Sequence, residues 1–490
     1  MRKIKVWSNN LINIPLMVLT GITIMGVISQ LNISFQKTSV TYISTVILLL
    51  ISYVFCRKFN LNKIFNKYEK KIWIISFILL FVWQIYMLAT MNINTNWDTA
   101  INLQGAMQIP NTDYSYFSRY PNNIFILMFE HVFWLMMNKP SLSLFIFELG
   151  TFNVILLDLS LILFKCSLQS ILKKRVVNIA IILMMLLVAV SPWITIIYSD
   201  IPAFIISLTS LSIFILINHE TNMHKKWIET ILLALLATIG YLVKPSVIIF
   251  FIAIFIILII KYLQHEGKFD FKKIFVAIIL FGGLTCSFTQ IIKHNSLFKY
   301  DSNASFSMLH YAAMGLHNTG GYYGKDVIVD GSLKNQAERN RRDLKVIGER
   351  LQSFRYLGNY QTFLFNKQDF NSQDATWNWP EGEMILLKDN SSDPITHKLF
   401  LLHGVGAKKG DFWFSMQIIW LFSLIGVLFS FFDISWKSQI LKYTIVGFFM
   451  FLLIFEAGRS RYMIQFMPFI LVLASIGIDR MMNWEFKYEI

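Results

Sequence analysis

The sequence predicts an all-α polytopic membrane protein with about twelve transmembrane helices, additional interfacial helices and a small extracytoplasmic subdomain. Three observations lead there. The 490 residues are 55% hydrophobic and 16% aromatic, with a mean hydropathy of +0.53. Charged residues make up 15%, against roughly 25% in an average soluble domain. The apolar residues fall in repeated runs of about 17 to 24, the length that crosses a bilayer as a helix.

The expected spans lie near 11–31, 41–56, 72–91, 142–164, 176–191, 203–217, 227–243, 246–262, 274–292, 412–432, 441–456 and 462–478. Positive residues orient them. Arg2, Lys3 and Lys5 precede the first span, Arg57 and Lys58 follow the second, and Lys173, Lys174 and Arg175 follow the fourth. Lys225 and Lys226 follow the sixth, Lys272 and Lys273 the eighth, Lys437 the tenth and Arg480 the last. Twelve crossings place all these clusters, and both termini, in the cytoplasm of a plasma-membrane protein. The net charge of +15 is then a topology signal, and nucleic acid is excluded as a partner. MRKIK runs into the first apolar segment with no small-residue cleavage pattern, so that segment reads as an anchor. Cys56, Cys166 and Cys286 have no metal-ligand spacing.

Residues 122–137 are apolar but short and carry Glu130 and His131. Counting them as a span would turn the Lys173–Arg175 cluster outward, so they read as a helix at the outer interface. The chain then divides into a bundle over 1–292 that includes an outer loop at 92–141, an extracytoplasmic subdomain over 293–411, and C-terminal spans over 412–490. Ala337–Leu351 reads as a mixed-charge helix within that subdomain, between turn-rich TGGYYGKD and TWNWPEG.

Chemistry-bearing residues gather at the expected outer ends of the spans. The loop NINTNWDTAINLQGAMQIPNTDYSYFSRYP mixes Asp98, Asp113 and Arg119 with Trp97, Tyr116 and Tyr120. Asp98 reads either as a helix N-cap or as a carboxylate that takes a proton from an attacking hydroxyl. Asp113 reads as the same kind of group or as a loop solubiliser. YSDIPA places Asp200 at the outer end of the sixth span, as a cap or as a group that orients Lys244 or a substrate. YLVKPS sets Lys244 in an outer hairpin where the charge bias disfavours it, marking a functional position or a snorkelling side chain. EAGRSRYMIQFMP adds Glu456, Arg459, Arg461 and Tyr462; arginine forks suit phosphate, or pair with Glu456 or lipid headgroups.

These four loops give carboxylates and several cations at hydrocarbon-boundary depth, a set that suits reaction on a phosphate-bearing lipid. A sugar on a polyprenyl phosphate has a good leaving group that needs cations, and the acceptor hydroxyl needs a base. His294, His310, His317, His397 and His403 match no metal motif. The aromatics of TWNWPEG would stack on sugars or anchor the loop at the interface. Glu148 and Asp158 would pair inside the bundle, or Glu148, near the outer face, would touch a site there.

With NWDTA, SRYPNN, YSDIPA, YLVKPS and SRYMIQFMP in place, the chain resembles integral-membrane glycosyltransferases of the GT-C superfamily. It is most similar to bacterial members grouped with protein O-mannosyltransferase and lipid A aminoarabinose transferase. LHYAAMGLHNTGGYYGKD and TWNWPEG resemble segments of Gram-positive members with a large outer loop. The resemblance implies a GT-C-like fold and an extracytoplasmic active site with Asp98 as catalytic base and Lys244 on the lipid-linked phosphate. Arg459, Arg461 and Tyr462 would contact the donor further, with Asp113, Arg119, Tyr120, Asp200 and His317 as other site candidates. It implies inverting transfer from a polyprenyl-phosphate-sugar to a glycan acceptor, a cell-wall or surface polysaccharide, among membrane lipids. Relatives carry paired acidic residues where Asp98 is followed by Thr99. No cofactor is therefore expected, a divalent metal stays open, and so does the choice between Asp98 and Asp113. The rivals are a flippase or transporter of lipid-linked saccharides, which would need two related halves, and a polymerase or ligase using a lipid-diphosphate glycan.

Overall fold

The computed structural model describes residues 2–35, 61–265, 270–380, 384–387, 394–401 and 409–483. Among them ten helices are long and apolar enough to cross a membrane: Ile4–Leu31, Lys67–Thr90, Leu142–Leu168, Asp200–Asn218, Met223–Val243, Pro245–Leu263, Phe271–His294, Gly410–Phe432, Trp436–Ile454 and Ser460–Asn483. Each corresponds to an expected span. The span expected at 41–56 and His403 lie outside the described residues.

Burial orders the bundle. Ser460–Asn483 is the inner helix, 94% buried, whereas no residue in the most apolar window of Phe271–His294 is buried. Phe275, Ile278 and Ile279 of the latter are exposed, as on a lipid-facing helix. Gly477 packs against the Gly426 carbonyl so closely that a Cβ has no room, the small-residue contact that brings membrane helices together. Arg175 Nε donates to Asp479 at 2.5 Å, fixing the far end of the inner helix. Within the bundle, Asp158 accepts from Gln84 Nε2 at 3.4 Å, whereas Glu148 Oε2 has no partner among the described residues.

The expected span 176–191 takes a different form. The Lys174–Met184 helix continues through a π turn at Met185–Ala189 and stops before a 3-10 turn at Pro192–Thr195. Its sixteen helical residues reach about 24 Å, short of the ~30 Å hydrocarbon core. A helix can end at that depth only if its last carbonyls find donors. Trp377 Nε1 donates to Leu187 O at 2.9 Å, Gln84 Nε2 to Ala189 O at 3.1 Å and Trp83 Nε1 to Val190 O at 3.4 Å. Trp193 Nε1 in turn donates to Thr376 O at 2.9 Å. The tryptophans of TWNWPEG are therefore core residues, with Trp377 fully buried, and neither stack on a ligand nor anchor at an interface.

The segment 122–137 forms a 13-residue helix, Ile124–Met136, about 20 Å long. It packs on the Asp98–Ala106 helix through a second hydrophobic cluster containing Leu103, Phe117, Ile124 and Leu127, while His131 Nδ1 lies 2.6 Å from Ala106 O. One small antiparallel sheet modifies the all-α expectation: Ile93–Thr95 pairs with Met384–Leu386, tying the 92–141 loop to the 293–411 segment.

That segment contains helices Met308–Met314, Gly324–Ser332, Gln336–Ser353 and Leu357–Ser372. Gln336–Ser353 starts at Asn335, whose side chain accepts from Glu338 N, and covers the helix reading of 337–351. Arg342 and Arg350 hold Asp326 from two sides at 2.7 to 3.0 Å. Lys367 Nζ donates to Gly315 O, Leu453 O and Phe455 O at 2.6, 3.0 and 2.8 Å, joining this segment to the end of Trp436–Ile454. Burial pushes the Lys367 pKa down to about 7, opposed by the charge of Glu456. Beside it, Gly458 turns at φ +70 against Gly321, and Ala457 N donates to Gly320 O at 2.9 Å.

Candidate active site

Asp98 stands in the first turn of the Asp98–Ala106 helix, with Trp97 at the cap position. A carboxylate there is favoured by the helix dipole. It is half-buried, and its bonds run to phenols. Tyr198 Oη lies 3.2 Å from Asp98 Oδ2 and 3.2 Å from Asn123 Oδ1. Asn123 Nδ2 donates to Tyr116 Oη at 2.6 Å, and Tyr116 stands within electrostatic reach of Asp98. One chain of contacts thus runs from Asp98 through Tyr198 and Asn123 to Tyr116. Burial, with the negative charge of Asp98, pushes Tyr198 and Tyr116 above the ordinary phenol range, so both hydroxyls keep their protons and donate.

The inner helix supplies the cation. The Arg461 guanidinium sits 4.8 Å from the Trp97 ring, 5.6 Å from Tyr198 and 5.4 Å from Tyr462, a cage that suits a weakly hydrated planar cation. It is 7% exposed. Its Nε has no hydrogen-bond partner among the described residues, and no carboxylate among them pairs with it within 4.0 Å. Tyr198 therefore touches both the acid and the cation.

Lys244 caps the end of Met223–Val243 in extended backbone, before a 3-10 turn begun by Pro245. Its Nζ pairs with Asp200 Oδ1 at 2.5 Å and lies 4.9 Å from the Tyr462 ring. Burial pushes the ammonium down, and Asp200 opposes that. Asp200 Oδ2 has no partner among the described residues. Arg459 and Glu456 stand within electrostatic reach, and burial pushes the Glu456 carboxyl up while Arg461 and Arg459 oppose it. Tyr120 packs on Tyr116 at 4.9 Å, and its phenol is raised by burial, Tyr322 and Asp98.

Asp98, Asp200, Lys244, Arg461, Tyr462 and Tyr120 thus share one pool, with Arg459 at its edge. Asp113 does not join it. It is exposed, pairs with Arg119 at 2.7 Å, and accepts from Ser115 N at 3.1 Å, which is the bonding of a loop group. His317 stacks on Tyr323 with ring centroids 3.6 Å apart, beside Arg350 and Asp326. His397 Nε2 lies 2.9 Å from Thr90 O, and His294 Nδ1 lies 2.9 Å from Gln290 O. His310, Asp330 and Asp343 bring metal-capable atoms within 4.8 Å of one another, but Arg342 Nη1 reaches the two carboxylates at 2.8 and 3.4 Å. A guanidinium occupies the counter-ion position there.

Sequence reasoning did not select Tyr198, Tyr116, Asn123 or Glu456 for the site. Tyr198 and Asn123 lie within the quoted YSDIPA and SRYPNN stretches, so proximity to a selected charge was the available signal.

An apolar cavity of about 310 Å³ opens beside the pool. Tyr198, Pro202 and Val243 form its wall on the site side, and Phe129, Phe152 and Ile206 line it further along. Glu130 borders it, its carboxyl pushed well up by burial. The arrangement can seat an anion at Arg461 with an apolar tail alongside.

Comparison with curated proteins and with solved structures yields no match. A family model described as "conserved hypothetical integral membrane protein" matches residues 4–482. The chain, which carries ten apolar helices of membrane-crossing length among its described residues, belongs to that family of integral membrane proteins.

Proposed function

We propose that the protein is a membrane glycosyltransferase of GT-C type. It moves a sugar from a polyprenyl-phosphate-sugar to an extracytoplasmic acceptor, with inversion and with Asp98 as general base. One observation carries this reading: a caged, unpaired Arg461 is joined to a half-exposed Asp98 through Tyr198, which also lines an apolar cavity. The phosphate would sit against Arg461, with the Lys244–Asp200 pair beside it, and the isoprenoid would follow the cavity past Pro202 and Val243. Asp98 takes the proton of the acceptor hydroxyl as its oxygen bonds to the anomeric carbon. The bond from that carbon to the phosphate oxygen breaks on the opposite face, and the released charge is stabilised by the cations. Tyr198 and Tyr116 hold the carboxylate in one orientation. The GT-C resemblance supports the choice of donor, and a polysaccharide of the cell wall or surface is the acceptor class.

The test is transfer by the purified chain from a panel of radiolabelled polyprenyl-phosphate and polyprenyl-diphosphate sugars in proteoliposomes. Label moving to an acceptor from a monophosphate donor supports the reading. Transfer from diphosphate donors alone points to a polymerase or ligase, and movement of intact donor across the bilayer without transfer points to a flippase.

A further inference from the structure

At the end of the bundle farthest from Asp98, a cavity of about 480 Å³ opens between helix ends. Its position follows from the chain. The span that begins with Asp200 beside Lys244 reaches it at Asn218, and the span that begins with Pro245 reaches it at Lys261. Most of its wall is aliphatic, from Leu, Ile and Val of several helices, with Lys5, Lys261, Lys437 and Trp436 among the remainder.

None of the residues lining it is acidic. Lys5 Nζ lies 5.3 Å from the Trp436 ring, and Lys437 Nζ donates to Ile171 O at 3.1 Å. Among the described residues, none of the three ammonium groups is neutralised by a carboxylate. An apolar cleft beneath three cations and a tryptophan has two chemical halves. The cleft takes a hydrocarbon chain, and ammonium groups at the membrane edge favour a phosphate and disfavour a second ammonium. Tryptophan suits the level where the two halves meet.

We infer that this cavity binds a phospholipid of net negative headgroup, taken from the leaflet opposite the Asp98 site. A zwitterionic lipid fits the cleft equally well but brings its own cation against the lysines, so charge is what selects the occupant. The site is separate from the transferase reading and stands whether or not that reading does.

The test uses the full chain in detergent, titrated with dioleoylphosphatidylglycerol or dioleoylphosphatidylcholine, with retained lipid counted by native mass spectrometry. One phosphatidylglycerol per chain should be retained at least about tenfold more tightly than phosphatidylcholine. The Lys5→Gln/Lys261→Gln/Lys437→Gln variant should lose that preference, and the corresponding triple Arg variant should keep it. Should the Gln variant fail to fold, Ile257→Trp fills the cleft without touching the lysines and should abolish the tightly held lipid. Equal retention of the two lipids by the parent, or undiminished phosphatidylglycerol on a folded Gln variant or on Ile257→Trp, overturns the inference.

Discussion

Tyr198 places its hydroxyl 3.2 Å from Asp98 Oδ2 and its ring 5.6 Å from the Arg461 guanidinium. One buried side chain thus sets the distance between the only proposed base and the only unpaired caged cation of the pool among the described residues. The first expectation follows from that position. Tyr198→Phe keeps the ring under Arg461 and removes the donor to Asp98. A hydrogen bond to a charged group contributes about 1.5–3 kcal/mol, so turnover should fall roughly 10- to 100-fold with donor affinity little changed. A fall in affinity with turnover preserved would place Tyr198 in binding instead.

Arg461→Gln removes the caged charge from the start of the inner helix. Donor affinity, read as KM or by competition with a polyprenyl phosphate, should weaken by about 2–5 kcal/mol, while Arg461→Lys should restore only part of it. A lysine has no planar fork to fill a cage of Trp97, Tyr198 and Tyr462. Equal rescue by lysine would mean that only the charge matters.

In the Lys244–Asp200 pair the carboxylate is buried and the ammonium side chain is 13% exposed. Lys244→Met alone leaves the Asp200 carboxylate buried without its cation, at a cost of about 3–5 kcal/mol, which should appear as a lowered melting temperature in detergent. Lys244→Met with Asp200→Leu should recover most of that stability without recovering activity. If the double variant is as unstable as the single one, the pair is not a closed unit.

Lys367 gives a pH signature. Its pKa of about 7 in the folded chain lies below the ordinary 10.5. The unfolded chain therefore holds more protons between those values, so this residue's contribution is present above about pH 10.5 and is lost as pH falls through about 7. The stability difference between the parent and Lys367→Met should shift in the parent's favour by on the order of 1–2 kcal/mol from pH 7 to pH 9. Thermal melting of both chains at the two pH values checks it; no shift between them would mean that the three carbonyls hold a fully charged ammonium.

Gly477→Leu tests the bundle itself. With no room for a Cβ beside the Gly426 carbonyl, the inner helix must move, and folded yield should drop severely. Unchanged yield and melting would show that the two helices do not meet there.

Much of this architecture is legible in the chain because lipid imposes length and charge rules that act residue by residue. Lys244 and Arg461 drew attention by sitting at span ends where cations are disfavoured, and Asp98 by opening a helix just outside a span. Their neighbours were not legible. Tyr198 and Tyr116 are ordinary loop aromatics until folding sets them around Asp98, and Asn123 carries no charge to betray it. Asp113 resembled Asp98 in composition, but its near neighbours Ser115 and Arg119 satisfy it locally. The tryptophans of TWNWPEG looked like interface residues because their real partners, the carbonyls of Leu187 and Phe400, come from remote segments. The π turn at Met185–Ala189 was hidden for the same reason: a run of apolar residues does not say where donors will intercept its backbone.

The central claim is best tested by single-turnover transfer from a polyprenyl-phosphate-sugar, comparing the parent with Asp98→Asn and Lys244→Ala. Asp98→Asn should bind the donor as the parent does and transfer the sugar at least about 100-fold more slowly, while Lys244→Ala should lose donor affinity. Full transfer activity in both variants would contradict the account.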